Sequence, residues 1–176
     1  MPDERGGDAE FTTSQRAGLQ SRRADQDRTL EAMQRLEAAL ESAAPGREGR
    51  WRDEVTAALR ILDEATTEEA ENANRPDSLL SDIALTQPRL RTRVRGVRTQ
   101  YRSLGDTLRS LRQELEGPDD AAPDFADIRQ RLAWLLGALR HQRARESDLI
   151  YEAFYEAYRS ELGDADPRGG GTAPAG

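Results

Sequence analysis

The segment from Asp124 to Leu162, DFADIRQRLAWLLGALRHQRARESDLIYEAFYEAYRSEL, is the longest stretch with an unbroken helical composition, with no proline and only one glycine. This segment is predicted to form one long helix that buries a single stripe. Polar residues interrupt the stripe in mid-helix, where an advance of about 100° per residue points Gln142 and Glu146 inward and His141 outward. A buried polar layer requires internal hydrogen bonds or a ligand. The stripe consists of Phe125, Ile128, Leu132, Leu135, Leu139, Ile150, Ala153 and Ala157.

The composition bounds the class of protein. The 176 residues suffice for one domain with its own core, and the absence of cysteine excludes disulfides, thiolate metal sites and a cysteine nucleophile. The net charge of -7 argues against nucleic-acid binding, although all 26 basic residues are arginine. No apolar run approaches the ~18 residues of a membrane span, and the N-terminus is acidic. We therefore expect a cytoplasmic protein without membrane association.

Further helices are predicted upstream of this segment. Helix one begins at Thr12 or Thr13 and ends near Ser42, and helix two runs from about residue 50 to residue 74. A short helix over 77–85 precedes a third long helix that starts at Pro88. The expected fold is all-α, an antiparallel four-helix bundle with a short extra helix between helices two and three. Residues 13–163 form this bundle, residues 1–12 a disordered tail and residues 164–176 a flexible tail.

Helix three has the most regular apolar pattern, a heptad seam typical of a bundle helix. Its members are Leu90, Val94, Val97, Tyr101, Leu104, Leu108, Leu111 and Leu115. Helix one is expected to turn Leu19, Leu30, Met33, either Leu36 or Glu37, and Leu40 inward, with Gln26 on the same stripe. The short helix is expected to bury Leu79, Leu80, Ile83 and Leu85. In helix two, Thr66 and Glu69 are the polar residues at inward positions.

Motifs for catalysis are missing from the sequence. There is no glycine-rich phosphate loop, no G-x-S-x-G elbow and no HExxH, and the single histidine, His141, faces outward. A carboxylate site for Mg²⁺ or Ca²⁺ would have Glu69 and Glu146 without a further acid. The chain is therefore expected not to be an enzyme.

The segment LRHQRARESDLIYEAFYEAYRSELG resembles the final helix of bacterial hemerythrin-like (HHE cation-binding) domain proteins. In that family a leucine precedes a histidine, followed by Arg-Glu-x-Asp-Leu and then Glu-Ala-Phe. Here the shared residues are Leu139, Arg145-Glu146, Asp148-Leu149 and Glu152-Ala153-Phe154. The family's histidine position is held by Gln142, and His141 lies one residue away from it.

The resemblance implies that most metal ligands have been replaced. The family's metal-binding positions fall near polar interruptions of the helices, namely Gln26, Thr66, Glu69, Tyr101, Gln142 and Glu146. Amides substitute poorly for imidazole as iron ligands, so we expect no cofactor and a degenerate site whose residues hydrogen-bond one another. Two alternatives remain open: a weak or altered non-haem iron or oxygen site using Glu69, Tyr101, Glu146 and His141, and a small-molecule pocket.

Arginines form a stripe on one flank of helix three: Arg91, Arg95, Arg98 and Arg102. They could meet phosphate or an acidic partner. The competing interpretation pairs them with the acidic end of helix two, which contains Asp63, Glu64, Glu68, Glu69 and Glu71.

Aromatic residues cluster near the end of the last helix at Tyr151, Phe154, Tyr155 and Tyr158. They cover more than one face, so we expect part of the cluster in the core and part in an exposed patch for a protein partner or a homodimer contact. The expected function is a non-catalytic hemerythrin-like module that is regulatory or binds a partner. A plain helical interaction or oligomerisation module is the remaining alternative.

Overall fold

The computed structural model describes residues 10–42, 46–117 and 124–164, and within these ranges it contains helices and no strand. The helices are α1 (Thr13–Glu41), α2 (Glu48–Asn74), α3 (Leu79–Thr86), α4 (Arg91–Leu115), α5 (Phe125–Ala153) and α6 (Tyr155–Asp164), with one 3₁₀ turn at Pro88–Leu90. The all-α prediction is confirmed.

Local capping explains where several helices begin. Thr12 and Gln15 form a reciprocal capping box at the start of α1. Ser78 accepts a hydrogen bond from the amide of Ser81 at the start of α3, and Asp124 accepts from the amides at the start of α5. These polar caps satisfy amides that have no partner within their own helix.

The predicted last helix is interrupted, which corrects the expectation of one helix over 124–162. Phe154 leaves the helical conformation, with φ of -117° and ψ of 26°, and separates α5 from α6. The side-chain amide of Gln87 donates to the carbonyl oxygen of Ala153 at this break. The Phe154 ring is buried and lies 5.5 Å from that of Phe11, centroid to centroid. Tertiary contacts therefore outweigh the helical preference of the segment.

Two apolar clusters form the core, and a polar layer lies between them along the helices. On α5, Leu139 belongs to the first cluster and Leu149 to the second, while the buried Gln142 and Glu146 lie between them. All eight members of the predicted heptad seam are buried, seven of them on α4 and Leu90 in the 3₁₀ turn before it. Charged groups therefore interrupt the apolar interior of the described residues at this layer, and again at Asp63, which pairs with Arg112.

Three sequence expectations about packing are wrong. Phe11 was assigned to the disordered tail, yet it is buried against Phe154 and Tyr158; the rest of that tail, residues 1–9, lies outside the described ranges. Leu30 is 39% exposed because α1 buries Thr29 instead. Leu85 is 73% exposed because the short α3 buries Leu79, Leu80 and Ile83 on its other side. Residues 165–176 of the predicted C-terminal tail also lie outside the described ranges.

Candidate functional site: a buried arginine network

A network of buried polar side chains connects the four long helices at mid-height. α1 contributes Arg22, α2 Glu69, α4 Tyr101 and α5 Glu146, each with 8% or less of its surface exposed. Each side chain comes from a different helix, so the network forms only when these helices pack together. Glu69, Tyr101 and Glu146 are among the candidates named from the sequence, whereas Arg22 is not.

The guanidinium of Arg22 occupies the centre of the network. Its Nη1 lies 2.7 Å from Glu69 Oε1, and its Nη2 contacts both Glu146 Oε2 and the hydroxyl of Tyr101. One cation therefore bridges two carboxylates and a phenol. Hydrogen bonds between ionised partners are the stronger kind, and the fork of guanidinium donors suits two acceptors at once.

Further hydrogen bonds hold the two carboxylates. Thr29 Oγ1 donates to Glu69 Oε2 at 2.5 Å, so both oxygens of Glu69 are engaged. The hydroxyl of Tyr101 is 2.6 Å from Glu146 Oε2 and 3.0 Å from Glu69 Oε1. Since a phenol has one proton to donate, the shorter contact indicates that Tyr101 donates to Glu146.

Burial governs the protonation of this network. Burial, followed by the charge of Glu146, raises the pKa of Tyr101, so the phenol stays neutral. Burial alone would lower the pKa of Arg22, but the attraction of Glu146, Tyr101 and Glu69 outweighs it and raises that pKa. Burial also raises the pKa of Glu146, against the opposing effects of Arg22 and Tyr101. Arg22 is therefore a permanent cation, and Glu146 holds a proton more readily than an exposed carboxylate does.

Three polar atoms of the layer have no hydrogen-bond partner among the described residues: Arg22 Nε, Gln142 Oε1 and Glu146 Oε1. The amide nitrogen of Gln142 does donate, to the carbonyl of Val97 at 3.2 Å. Glu146 Oε1 accepts no hydrogen bond from a described residue, so no donor offsets its desolvation, and burial has the largest effect on the pKa of Glu146.

A second polar contact extends the layer toward the surface. Asn72 Nδ2 lies 3.1 Å from each carboxylate oxygen of Asp25, which joins α1 to the end of α2. Arg28 Nη1 lies 3.7 Å from Asp25 and also pairs with Glu68. α1 therefore presents polar groups to α2 from Arg22 to Thr29.

The donor set does not fit non-haem iron. Glu69, Tyr101 and Glu146 all converge on the Arg22 guanidinium, whose positive charge opposes a second cation at the same point. His141, included in the alternative ligand set, is exposed and away from these groups. Across the described ranges, no three His, Cys, Asp or Glu side chains are grouped as metal ligands. Arg22 thus supplies the positive charge that the two carboxylates face.

Two other candidate residues lie apart from the network. Gln26 is half-buried, and its carbonyl oxygen accepts a hydrogen bond from Arg143 Nη1 at 2.5 Å. Thr66 is buried, but its hydroxyl donates to the carbonyl of Leu62 within its own helix. The polar residues that α1 turns inward are instead Arg22 and Thr29. The prediction that Gln26 belongs to the polar layer is therefore wrong.

The arginine stripe does not pair with the acids of α2, which corrects the competing interpretation. Asp63 pairs with Arg112, Glu68 with Arg28 and Glu69 with Arg22. Among the stripe members, Arg91 donates to the Ala84 carbonyl, and Arg98 donates to the Ala73 carbonyl and the Ser81 hydroxyl. Arg95 and Arg102 are exposed without an ion pair to any described residue.

The aromatic cluster divides between interior and surface. Phe154 is buried, while Tyr151 is 52% and Tyr155 42% exposed. The two exposed rings meet edge to face with centroids 5.6 Å apart, and Tyr151 also stacks on Tyr158. The exposed part of the cluster consists of Tyr151 and Tyr155, next to the break between α5 and α6.

Sequence reasoning missed Arg22, Asp25, Thr29 and Asn72, because a search for apolar periodicity passes over charged residues at inward positions. A signal does exist, since Arg22, Asp25 and Thr29 continue the spacing of three and four that Met33, Leu36 and Leu40 establish. An arginine on that stripe indicates a carboxylate on a facing helix.

Comparison with protein-family models, with curated proteins and with solved structures finds no match for the chain. Within the described residues, every helix is too short or too polar to cross a membrane.

Proposed function

We propose that the chain is a non-catalytic binding module built on an antiparallel four-helix bundle of hemerythrin-like type, in which Arg22 takes the place of the metal. The observation that carries the proposal is the position of the Arg22 guanidinium between Glu69, Tyr101 and Glu146. A cation fixed to the chain meets the acidic groups that a metal ion would otherwise meet.

Contacts between neighbouring helices support the antiparallel arrangement. Between α1 and α2, Arg22 contacts Glu69 and Ser42 contacts Glu54, so one residue number rises as the other falls. The same reversal relates α2 to α4, where Arg52 reaches the Leu115 carbonyl and Glu69 meets Tyr101. It also relates α4 to α5, through Arg131 with Glu114 and Arg93 with Glu152.

The chemistry of the interior supports a role without catalysis. The carboxylates of Glu69 and Glu146 are both held by Arg22, and the phenol of Tyr101 is kept neutral by burial. A catalytic group must reach a substrate proton within hydrogen-bond distance, and these groups are committed to each other inside the core. Binding is therefore assigned to the surface.

The surface feature that supports partner binding is the pair Tyr151 and Tyr155. Exposed tyrosines next to one another are typical of protein interfaces, where they contribute apolar area and a hydrogen-bonding tip. Light scattering at increasing protein concentration tests self-association. A dimer that dissociates in the Tyr151→Ser/Tyr155→Ser double variant assigns the patch to a second copy, whereas a monomer at all concentrations directs the search to a different protein.

Elemental mass spectrometry of protein from iron-supplemented cells tests the metal replacement, with the visible spectrum recorded alongside. We expect iron far below one atom per chain in the wild type, with full helical content. Near-stoichiometric iron that is lost in Glu146→Ala would overturn the proposal and establish an altered iron or oxygen site. Asp148→Ala, an exposed acid on the same helix, is the matched control.

A further inference from the structure

We propose that a groove between α2 and α4 binds a small molecule through an oxyanion group, a phosphate or a carboxylate. The cavity measures about 480 Å³ and is lined by Arg75, Arg98, Arg102 and Arg109. This volume falls within the ~300–1,000 Å³ typical of small-molecule sites. This groove binds a different kind of ligand from the Arg22 network and is tested by a different experiment, so the inference goes beyond the proposed function.

Positive charge is concentrated in the groove although the whole chain has a net charge of -7. The four arginines face a single acidic lining residue, Glu71. Arg75 and Arg109 are paired with Asp77 and Asp106 in exposed ion pairs that contribute little. Arg102 has no ion pair with any described residue and is free to meet a ligand.

Arg98 gives the groove a fixed donor. Its Nη2 is held by the Ser81 hydroxyl at 2.7 Å and by the Ala73 carbonyl at 3.2 Å. Its Nε is buried and has no acceptor among the described residues. A guanidinium whose orientation is already set loses less conformational freedom when it binds an oxyanion. Arg98 therefore orients the ligand, and Arg102 adds a second charge.

Small side chains open the space between the two helices. Ala70 on α2 and Gly105 on α4 both line the groove. A Cβ built on Gly105 would meet only the end of the Arg109 side chain, at 3.9 Å. A larger side chain at this position would enter the groove without disturbing the backbone. Gly105 therefore provides a means of closing the site while keeping the fold.

Tyr101 forms part of the groove wall and joins the site to the core. Its hydroxyl is hydrogen-bonded to Glu146 and Arg22 in the core, and these bonds fix the position of the ring. The wall that a ligand meets is accordingly rigid. This is the condition under which a few convergent donors give specific binding.

Calorimetry and amide NMR titrations with pyrophosphate and with malonate, at constant ionic strength set with chloride, test the inference. We expect saturable binding of at least one probe, with shifts centred on the amides of Ala70 and Gly105. Tighter pyrophosphate binding assigns the site to phosphates, and tighter malonate binding assigns it to carboxylates. The inference would be overturned if neither pyrophosphate nor malonate produced binding heats and amide shifts larger than those produced by chloride.

Three variants distinguish specific binding in the groove from non-specific attraction to the arginines of the surface. Arg102→Ala should weaken binding about tenfold, since it removes a charge-assisted hydrogen bond. Gly105→Glu should abolish binding while unfolding no earlier than the wild type, because glycine is the poorer helix former. Arg95→Ala, an exposed arginine of the same helix outside the groove, should bind as the wild type does. Equal weakening by Arg95→Ala and Arg102→Ala would overturn the inference.

Discussion

Arg22 and Glu146 are 124 positions apart in the chain, and their side chains form an ion pair with 8% and 0% of their surfaces exposed. The pair joins the first long helix to the last one. A buried pair of this kind gives little net stability over an apolar substitute, but it penalises any arrangement that separates the partners. We infer that it specifies which faces of α1 and α5 meet.

Arg22→Met should destabilise the protein by about 3–5 kcal/mol, because Glu69 and Glu146 would remain buried without their counter-ion. Chemical denaturation followed by circular dichroism measures the free energy of unfolding. Arg23→Met, at an exposed position next to it, should change that free energy by no more than about 0.5 kcal/mol. Equal effects of the two substitutions would show that Arg22 is not buried against carboxylates.

Glu146 should make stability depend on pH in the opposite sense to an ordinary paired carboxylate. Burial raises its pKa in the folded protein above the usual 4.5. The folded state then holds the proton of Glu146 more tightly than the unfolded state does. The stability that Glu146 contributes is therefore complete below pH 4.5 and is lost as the pH rises through the pKa of the folded state.

Relative to Glu146→Gln, the wild type should therefore lose unfolding free energy as the pH is raised from 4.5. Denaturation curves of both proteins, recorded at a series of pH values upward from 4.5, give the difference between their free energies of unfolding. The contributions of the other carboxylates cancel in this difference. Asp148→Asn, an exposed neighbour, should show no such trend. A difference that grows in favour of the wild type with rising pH would contradict the assignment.

Phe11→Ala should cost about 3 kcal/mol, since the ring is 6% exposed and packs on Phe154 and Tyr158. Leu85→Ala should have little effect, because that side chain is 73% exposed. Urea denaturation of the two variants provides the comparison. If Phe11→Ala unfolds like the wild type, the segment before α1 does not contribute to the core.

The two tryptophans should respond differently to a fluorescence quencher. Trp134 is 63% exposed, whereas Trp51 is 4% exposed and meets Phe125 edge to face at 5.5 Å. Acrylamide should strongly quench the tryptophan fluorescence of Trp51→Phe, in which the exposed Trp134 is the tryptophan that remains. It should quench the fluorescence of Trp134→Phe only weakly, because the remaining Trp51 is buried. Similar quenching of the two variants would be inconsistent with the burial of Trp51 against α5.

The helical class, the order of the helices and the seam on α4 could be predicted from apolar spacing and capping residues, because both signals are local. Glu69, Tyr101, Gln142 and Glu146 were identified as polar interruptions of apolar stripes. Arg22 was not, because a charged residue on an amphipathic helix is normally exposed. Its burial depends on two acids that are 47 and 124 positions away.

The break at Phe154 also escaped prediction. The segment around it has no glycine or proline, and its local preference is helical throughout. The break depends on Gln87, which contacts the carbonyl of Ala153, and on Phe11, which contacts the Phe154 ring. Both partners are distant in sequence, so the interruption follows from tertiary structure alone.

NMR of the arginine guanidinium groups tests whether Arg22 lies at the centre of the core, with Arg22→Lys used to assign the signal of Arg22. We expect the Arg22 guanidinium protons to exchange slowly with water and to show contacts to the Tyr101 ring, unlike those of the exposed Arg23. Rapid exchange of every guanidinium group, with no contact to Tyr101, would contradict an arginine at the centre of the core.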